Sequence, residues 1–245
     1  FSYSIFGLID KAYSQNSETN NYLKRLNVKN IQSIGNMKFI EDDNIKSDKS
    51  DKKLFSQFKK YKTFIAASTH ETEELFAAKT HILLKKKNKN IITIIIPRHI
   101  NRVKQIIAEI NELGLNVVSR SSKKLKLKGI DIFIVDTFGE TKKFYKFATT
   151  VFLGKSIIKG GGQNPLEPAR FGAKILHGPD VNNFKDVYKY LRKLKISSVV
   201  NSPQKCADSI IFKKNMKKVQ KMKYLGSTIL KKTLNELDKS IHNEI

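Results

Sequence analysis

The sequence predicts an α/β fold built on a doubly wound parallel sheet, and three observations carry that expectation. From residue 62 onward, short apolar runs alternate with segments of helical period. The chain has 245 residues, 40% of them hydrophobic, enough for one full domain and part of a second with a sizeable core. Its unusual polar residues cluster just after the apolar runs, at strand ends, where ligands bind in parallel sheets. This composition excludes a disordered tail. Lone Cys206 excludes a disulfide-stapled module and points to a reducing compartment. No stretch approaches the roughly 18 continuous apolar residues of a membrane span. The longest apolar run, from Ile91 to Pro97, is interrupted by Thr93.

The elements follow in order. The chain opens at Phe1 with no charged-then-apolar targeting segment, and reads as a fragment whose beginning is missing. Asn16-Ser17-Glu18 opens a short helix through Leu26, and residues 28–34 make a strand ending at Gly35-Asn36. Residues 1–40 are therefore expected to be the last β-α-β unit of a preceding α/β domain, and the lysine- and aspartate-rich residues 41–58 a linker. The second domain is expected over 59–245. Its strands are predicted at 63–67, 91–96, 116–118, 131–135, 150–153, 174–176 and 197–200. Helices are predicted near 71–86, 100–113, 140–147, 165–172 and 183–194, with two closing helices near 204–214 and 216–240. Two such domains face each other across a cleft, of which this chain supplies mainly one wall.

A net charge of +25, carried almost wholly by lysine, suggests an anionic partner. The lysines are scattered: Lys85 to Lys87 end one helix, Lys123, Lys124, Lys126 and Lys128 fill a loop, and others run from Lys213 to Lys223. Specific nucleic-acid readers concentrate arginine and aromatic residues on one element, which this chain does not do. An anionic membrane surface, or plain lysine decoration of solvated faces, fits better.

The strand ends carry Ser68-Thr69-His70, Pro97-Arg98-His99, Asp136-Thr137 with Gly139-Glu140, and Gly160-Gly161-Gly162-Gln163-Asn164. In the last of these, Asn164 suits a helix N-cap, Pro165 the first helical position and Glu167 the capping-box position. Capping leaves the three glycines unexplained. Consecutive glycines let backbone amides approach a phosphate closely, and a helix terminus adds partial positive charge. A carboxylate there would repel the phosphate, so Glu167 suits vicinal ribose hydroxyls instead. Arg98 offers a planar fork for phosphate oxygens at a strand terminus. Ser68 with Glu71 reads as a structural capping box. His70, His81 and His177 lack metal-site spacing, and no paired-cysteine or His-x-x-x-His signature occurs, so no metal is expected.

Ala66-Ala67-Ser68-Thr69-His70, Pro97-Arg98-His99, Asp136-Thr137-Phe138-Gly139-Glu140 and the segment from Gly161 to Ala169, in that order, closely resemble the carboxyl-terminal half of the 3-deoxy-D-manno-octulosonic acid (Kdo) transferase family. Gly35-Asn36-Met37-Lys38-Phe39, Ser14-Gln15, and Gly178-Pro179 with Asn183-Phe184 match as well, so the resemblance covers almost the whole chain. Gln163 stands where many members carry histidine, and Phe138 where many carry methionine.

The resemblance implies a Rossmann-like carboxyl-terminal domain of a GT-B glycosyltransferase, of glycosyltransferase family 30. It implies transfer of Kdo from the donor CMP-Kdo to a lipid A precursor, lipid IVA, in lipopolysaccharide core assembly. No cofactor is implied. The expected setting is the cytoplasmic face of the Gram-negative inner membrane among anionic lipids, held peripherally or by an amino-terminal anchor. By the same resemblance, Arg98 with His99 and the loop through Gly139-Glu140 would hold cytidine monophosphate. Asn164 would sit at the phosphate end and Glu167 on the ribose, with Ser68, Thr69, Gly161, Gly162 and Gln163 as further donor-binding residues. The catalytic carboxylate and the acceptor loop would lie before Phe1, so the chain alone is expected to bind weakly and transfer nothing. Two rival readings are a UDP-dependent GT-B transferase or epimerase, and a basic module binding RNA or acidic lipid without catalysis.

Overall fold

The computed structural model describes residues 2–40, 49–122 and 126–242. The expected positions Lys123 and Lys124, and the first part of the expected linker, residues 41–48, lie outside them. The chain divides into two compact units, Phe1–Asp43 with Gln220–Ile245, and Asn44–Val219.

In the first unit, helix α1 (Ser2–Phe6) precedes strand β1 (Lys11–Ser14), helix α2 (Ser17–Arg25) and strand β2 (Asn30–Ser33). The two strands pair in parallel, giving the expected β-α-β unit. Asn16 caps α2 as its sequence suggests, accepting the Thr19 amide at 2.8 Å. Gly35 sits at φ 101°, and a Cβ there would lie 3.1 Å from Ile229, so the turn after β2 requires glycine for conformation and for space. Ile229 belongs to the closing helix, whose residues from Gln220 onward complete this unit.

The second unit is a seven-stranded sheet in which every pairing is parallel. Its strands are β3 (Lys62–Thr69), β4 (Ile91–Pro97), β5 (Val117–Ser119), β6 (Ile132–Ile134), β7 (Thr150–Leu153), β8 (Lys174–His177) and β9 (Ser197–Val199). The intervening helices are α3 (Lys49–Phe58), α4 (Glu73–Lys87), α5 (Val103–Asn111), α6 (Thr141–Tyr145), α7 (Leu166–Arg170), α8 (Lys185–Lys193) and α9 (Pro203–Ser209). Helix α10 (Met216–His242) follows. No helix among the described residues is long and apolar enough to cross a membrane.

The strand order is β5-β6-β4-β3-β7-β8-β9, so the chain winds outward from β3 in one direction and then returns to β7 on its other side. This is the doubly wound arrangement the sequence predicts. Strands buried on both faces read as continuous apolar runs, and all of β4 is buried. Phe64, Ala66, Ile95, Ile106, Ile110 and Phe152 belong to one core cluster that joins the sheet to its helices.

One expected linker segment is a folded element. Residues 49–58 form α3, whose Leu54 and Phe58 are 3% and 1% exposed. Apolar residues at positions 54, 55 and 58 share one helix face among lysines and aspartates, so a polar-looking stretch still packs. Phe55 meets Phe144 edge to face at 5.7 Å, and Phe58 meets Phe133 at 5.1 Å. Burying each such side chain contributes about 1.5–3 kcal/mol.

Candidate functional site

All seven strands of the large sheet run the same way, so their carboxyl ends share one edge. The strand order reverses between β3 and β7, the switch point beside which parallel sheets place their ligand crevice. The candidate residues lie on the loops around it.

The β3 end is shaped by a bulge. The register with β4 shifts between Ala67 and Thr69, where Ser68 adopts a left-handed φ of 54°. Thr69 is thereby turned inward and fully buried, so its side chain is no contact for a ligand, and its carbonyl accepts the Arg98 amide at 2.9 Å. The exposed side chain of Arg98 makes no ion pair among the described residues. His99, also exposed, presents its ring edge to face with that of His70 at 5.3 Å. Burial pushes the His70 pKa below its ordinary value; Glu73 opposes this, while His99, Lys155 and Arg98 add to it.

The capping box expected from Ser68 and Glu71 does not form. Helix α4 begins at Glu73, after Thr72 at φ 73° with no side-chain cap. The fully buried carboxylate of Glu73 instead accepts four backbone amides: His70 at 3.0 Å, Lys155 at 2.7 Å, Ser156 at 3.0 Å and Ile157 at 3.1 Å. It thus ties the loop after β3 to the loop after β7.

The glycine segment departs from expectation in an instructive way. Gly161 and Gly162 have φ of 80° and 74°, and a Cβ on Gly161 would sit 2.5 Å from the Asn183 side chain. Their amides, however, are already taken. Gly160 and Gly161 donate to Asp180 Oδ2 at 2.8 and 3.0 Å, and Gly162 donates to the Lys155 carbonyl at 2.7 Å. The two glycine amides hold the Asp180 carboxyl below its ordinary pKa. The triglycine amides are therefore not the open anion cradle that the sequence suggests. The next two amides, of Gln163 and Asn164, have no protein acceptor among the described residues.

Asn164 is not the N-cap residue. Pro165 occupies that position, and Asn164 Oδ1 accepts the Leu166 amide at 3.1 Å. Helix α7 has only five residues, so few peptide dipoles add up and its terminus offers less positive field than expected. Glu167, in its first turn and 30% exposed at the side chain, lies 4.0 Å from Lys142 Nζ.

The β6–α6 loop is clamped. Gly139 takes φ 75°, and beside it Phe138 is 81% exposed. The Glu140 carboxylate accepts Arg120 Nε at 3.1 Å and Lys143 Nζ at 3.2 Å, and also bonds Thr137 Oγ1. Burial works against its charge, but these hydrogen bonds outweigh burial and hold the carboxyl below its ordinary pKa. Asp51, 1% exposed at the side chain, joins from α3 and pairs with Arg120 at 3.0 Å and Lys143 at 2.8 Å. The Glu140 carboxylate is thus committed to the protein, and the loop offers a ligand its backbone. Sequence reasoning singled out Arg98 and the glycine segment but missed Asp51, Glu73, Arg120 and Asp180, the groups that hold the loops in place.

No family model matches the chain. It is 33% identical over 190 residues to a 3-deoxy-D-manno-octulosonic acid transferase of Rickettsia felis, covering 76% of this chain and 41% of that protein. To the transferase of the same description in Rickettsia bellii it is 31% identical over 201 residues, covering 80% and 48%. The chain thus spans less than half the length of these curated relatives. Among solved structures, the C-terminal CMP-Kdo binding domain of WaaA from Acinetobacter baumannii shares the fold, with a TM-score of 0.61 at 22% identity over 81% of this chain and 99% of that one. The doubly wound α/β architecture of a GT-B carboxyl-terminal domain, expected from the sequence, is the one observed.

Proposed function

We propose, from the similarity of this chain to the carboxyl-terminal half of Kdo transferases, that it is the donor-binding part of a glycosyltransferase moving Kdo from CMP-Kdo to a lipid A precursor. The observation that carries the reading is local. Arg98, which makes no ion pair among the described residues, and the amides of Gln163 and Asn164, which have no acceptor among them, stand on the loops beside the point where the sheet order reverses.

In this proposal the phosphate of CMP lies between the Arg98 guanidinium and those two amides, with Ser68, His99, Gly161 and Gly162 shaping its surroundings. The backbone of the Gly139 turn faces the cytosine, and the Glu167 carboxylate accepts hydrogen bonds from the ribose hydroxyls. Transfer breaks the bond between the anomeric carbon of Kdo and a phosphate oxygen. Positive charge develops on the sugar and negative charge on departing CMP, so Arg98 and the amides act by electrostatic stabilisation without metal or cofactor. Deprotonating the acceptor hydroxyl requires a carboxylate on the other side, typically worth about 10²–10⁴-fold. We assign that base to an amino-terminal half not present in this chain, which alone would transfer nothing. The lysine-rich exterior suits an acceptor that is a phosphorylated lipid at the cytoplasmic face of an anionic inner membrane.

Calorimetric titration with CMP, UMP and UDP tests the reading. It expects CMP to bind preferentially. Preference for a uridine nucleotide would turn the assignment to a UDP-dependent GT-B enzyme. Indifference to all three, together with RNA or acidic-vesicle binding that falls steeply with salt, would leave a charge-driven module.

A further inference from the structure

Two carboxylates, one from α4 and one from the loop after β8, bind the backbone of the loop after β7. Glu73 accepts the amides of Lys155, Ser156 and Ile157, and Asp180 accepts those of Gly160 and Gly161. Their anchor points are joined: Ser156 Oγ accepts the Gly178 amide at 2.8 Å, and the Ser156 carbonyl accepts the Asp180 amide at 3.0 Å. Beyond this braced stretch, Tyr188 donates to the Gln163 carbonyl at 3.1 Å. Glu73 meets its partners in the loop across 82 to 84 residues of sequence, and Asp180 across 19 or 20, so neither is an incidental local turn. Successive amides facing one carboxylate form an anion nest, and in this loop both nests are filled from within. These contacts brace the loop on both sides of Ile158 and Lys159, and beyond Gly162 the amides of Gln163 and Asn164 have no acceptor among the described residues.

We infer that Glu73 and Asp180 are positioning residues for phosphate recognition: by occupying the amides of Lys155 to Ile157 and of Gly160 and Gly161 they hold the loop so that the Gln163 and Asn164 amides are presented to a nucleotide phosphate. This rests on the reading that the crevice binds CMP. A loop held before binding spends less affinity on ordering, so the effect belongs to the phosphate and not to the nucleoside.

The test compares CMP with cytidine by calorimetry, alongside thermal unfolding, for the wild-type chain and for Asp180→Ala, Asp180→Asn and Glu73→Gln. Wild type binding CMP no better than cytidine would overturn the CMP reading and this inference with it. Given that preference, Asp180→Ala should weaken CMP by about tenfold, the loss expected for hydrogen bonds to a charged group, while cytidine changes by less than about twofold. Asp180→Asn, which keeps an acceptor oxygen, should restore much of the loss, and Glu73→Gln should lower the CMP-to-cytidine ratio in the same sense. Because Asp180 is half-buried whereas Glu73 is fully buried, the Asp180 variants report even if Glu73→Gln unfolds. An unchanged ratio in Asp180→Ala would overturn the inference. So would tighter CMP binding by that variant, since Asp180 would then be a competitor for the phosphate.

Discussion

Arg120 grips Glu140 through two nitrogens, Nε at 3.1 Å and Nη2 at 3.3 Å, and the same Nη2 reaches Asp51 at 3.0 Å. One guanidinium therefore joins helix α3, the end of β5 and the loop after β6. Removing it leaves two largely buried carboxylates with Lys143 as their shared cation. Arg120→Ala is expected to destabilise the second unit by about 3 kcal/mol, in the range for breaking a buried pair. Urea unfolding measures this, and a loss under about 1 kcal/mol would show that the network adds little beyond a surface pair.

Acid should weaken the fold through His177. Its ring is fully buried against Tyr188 at 4.3 Å, Nδ1 bonds the Gly178 carbonyl at 2.6 Å, and burial pushes its pKa from 6.5 down to about 4. A group depressed in the folded state contributes stability above its unfolded pKa, and that stability is lost as pH falls toward the folded value. Between the two the loss comes to about 3 kcal/mol. His177→Asn should flatten the unfolding free energy across that window, and an equally steep acid limb in the variant would point to other groups.

Thr72 carries strain. A β-branched residue at φ 73° is disfavoured, whereas glycine adopts this conformation freely. Thr72→Gly is expected to gain about 1 kcal/mol, read as a higher Tm, with the Glu73 contacts intact. A lower Tm would mean that the threonine side chain stabilises the turn by more than its backbone costs.

Glu167 separates a ribose contact from a structural one. Glu167→Ala should weaken CMP by about 1.5–3 kcal/mol for lost charge-assisted hydrogen bonds, and leave its 2′,3′-dideoxy analogue nearly unaffected. Equal losses for both ligands would assign Glu167 to supporting α7 beside Lys142.

The winding of the sheet was legible because buried parallel strands write themselves as apolar runs, as from Ile91 to Ile96. Strand β1 was harder: its four residues, Lys11–Ser14, include one buried position and lack a repeating pattern. Helix α3 was hidden by its charge, since lysine and aspartate on its outer face masked Leu54 and Phe58. Within the site, Arg98 and the glycines stood out by residue type and place. What they contact did not, because the partners of the glycine amides are a carbonyl and a carboxylate that the fold brings in. A local rule suggested a Ser68–Glu71 box, but the bulge at Ser68 moved the helix start to Glu73, and the tether to residues 155–157 took its place.

A crystal structure of the chain with CMP tests the central claim most directly. The account predicts nucleotide density at the crevice between the β3 and β7 ends, its phosphate on the Arg98 guanidinium and the Gln163 and Asn164 amides, and its ribose against Glu167. Nucleotide bound at another edge of the sheet, or a phosphate that leaves Arg98 in solvent, would contradict it.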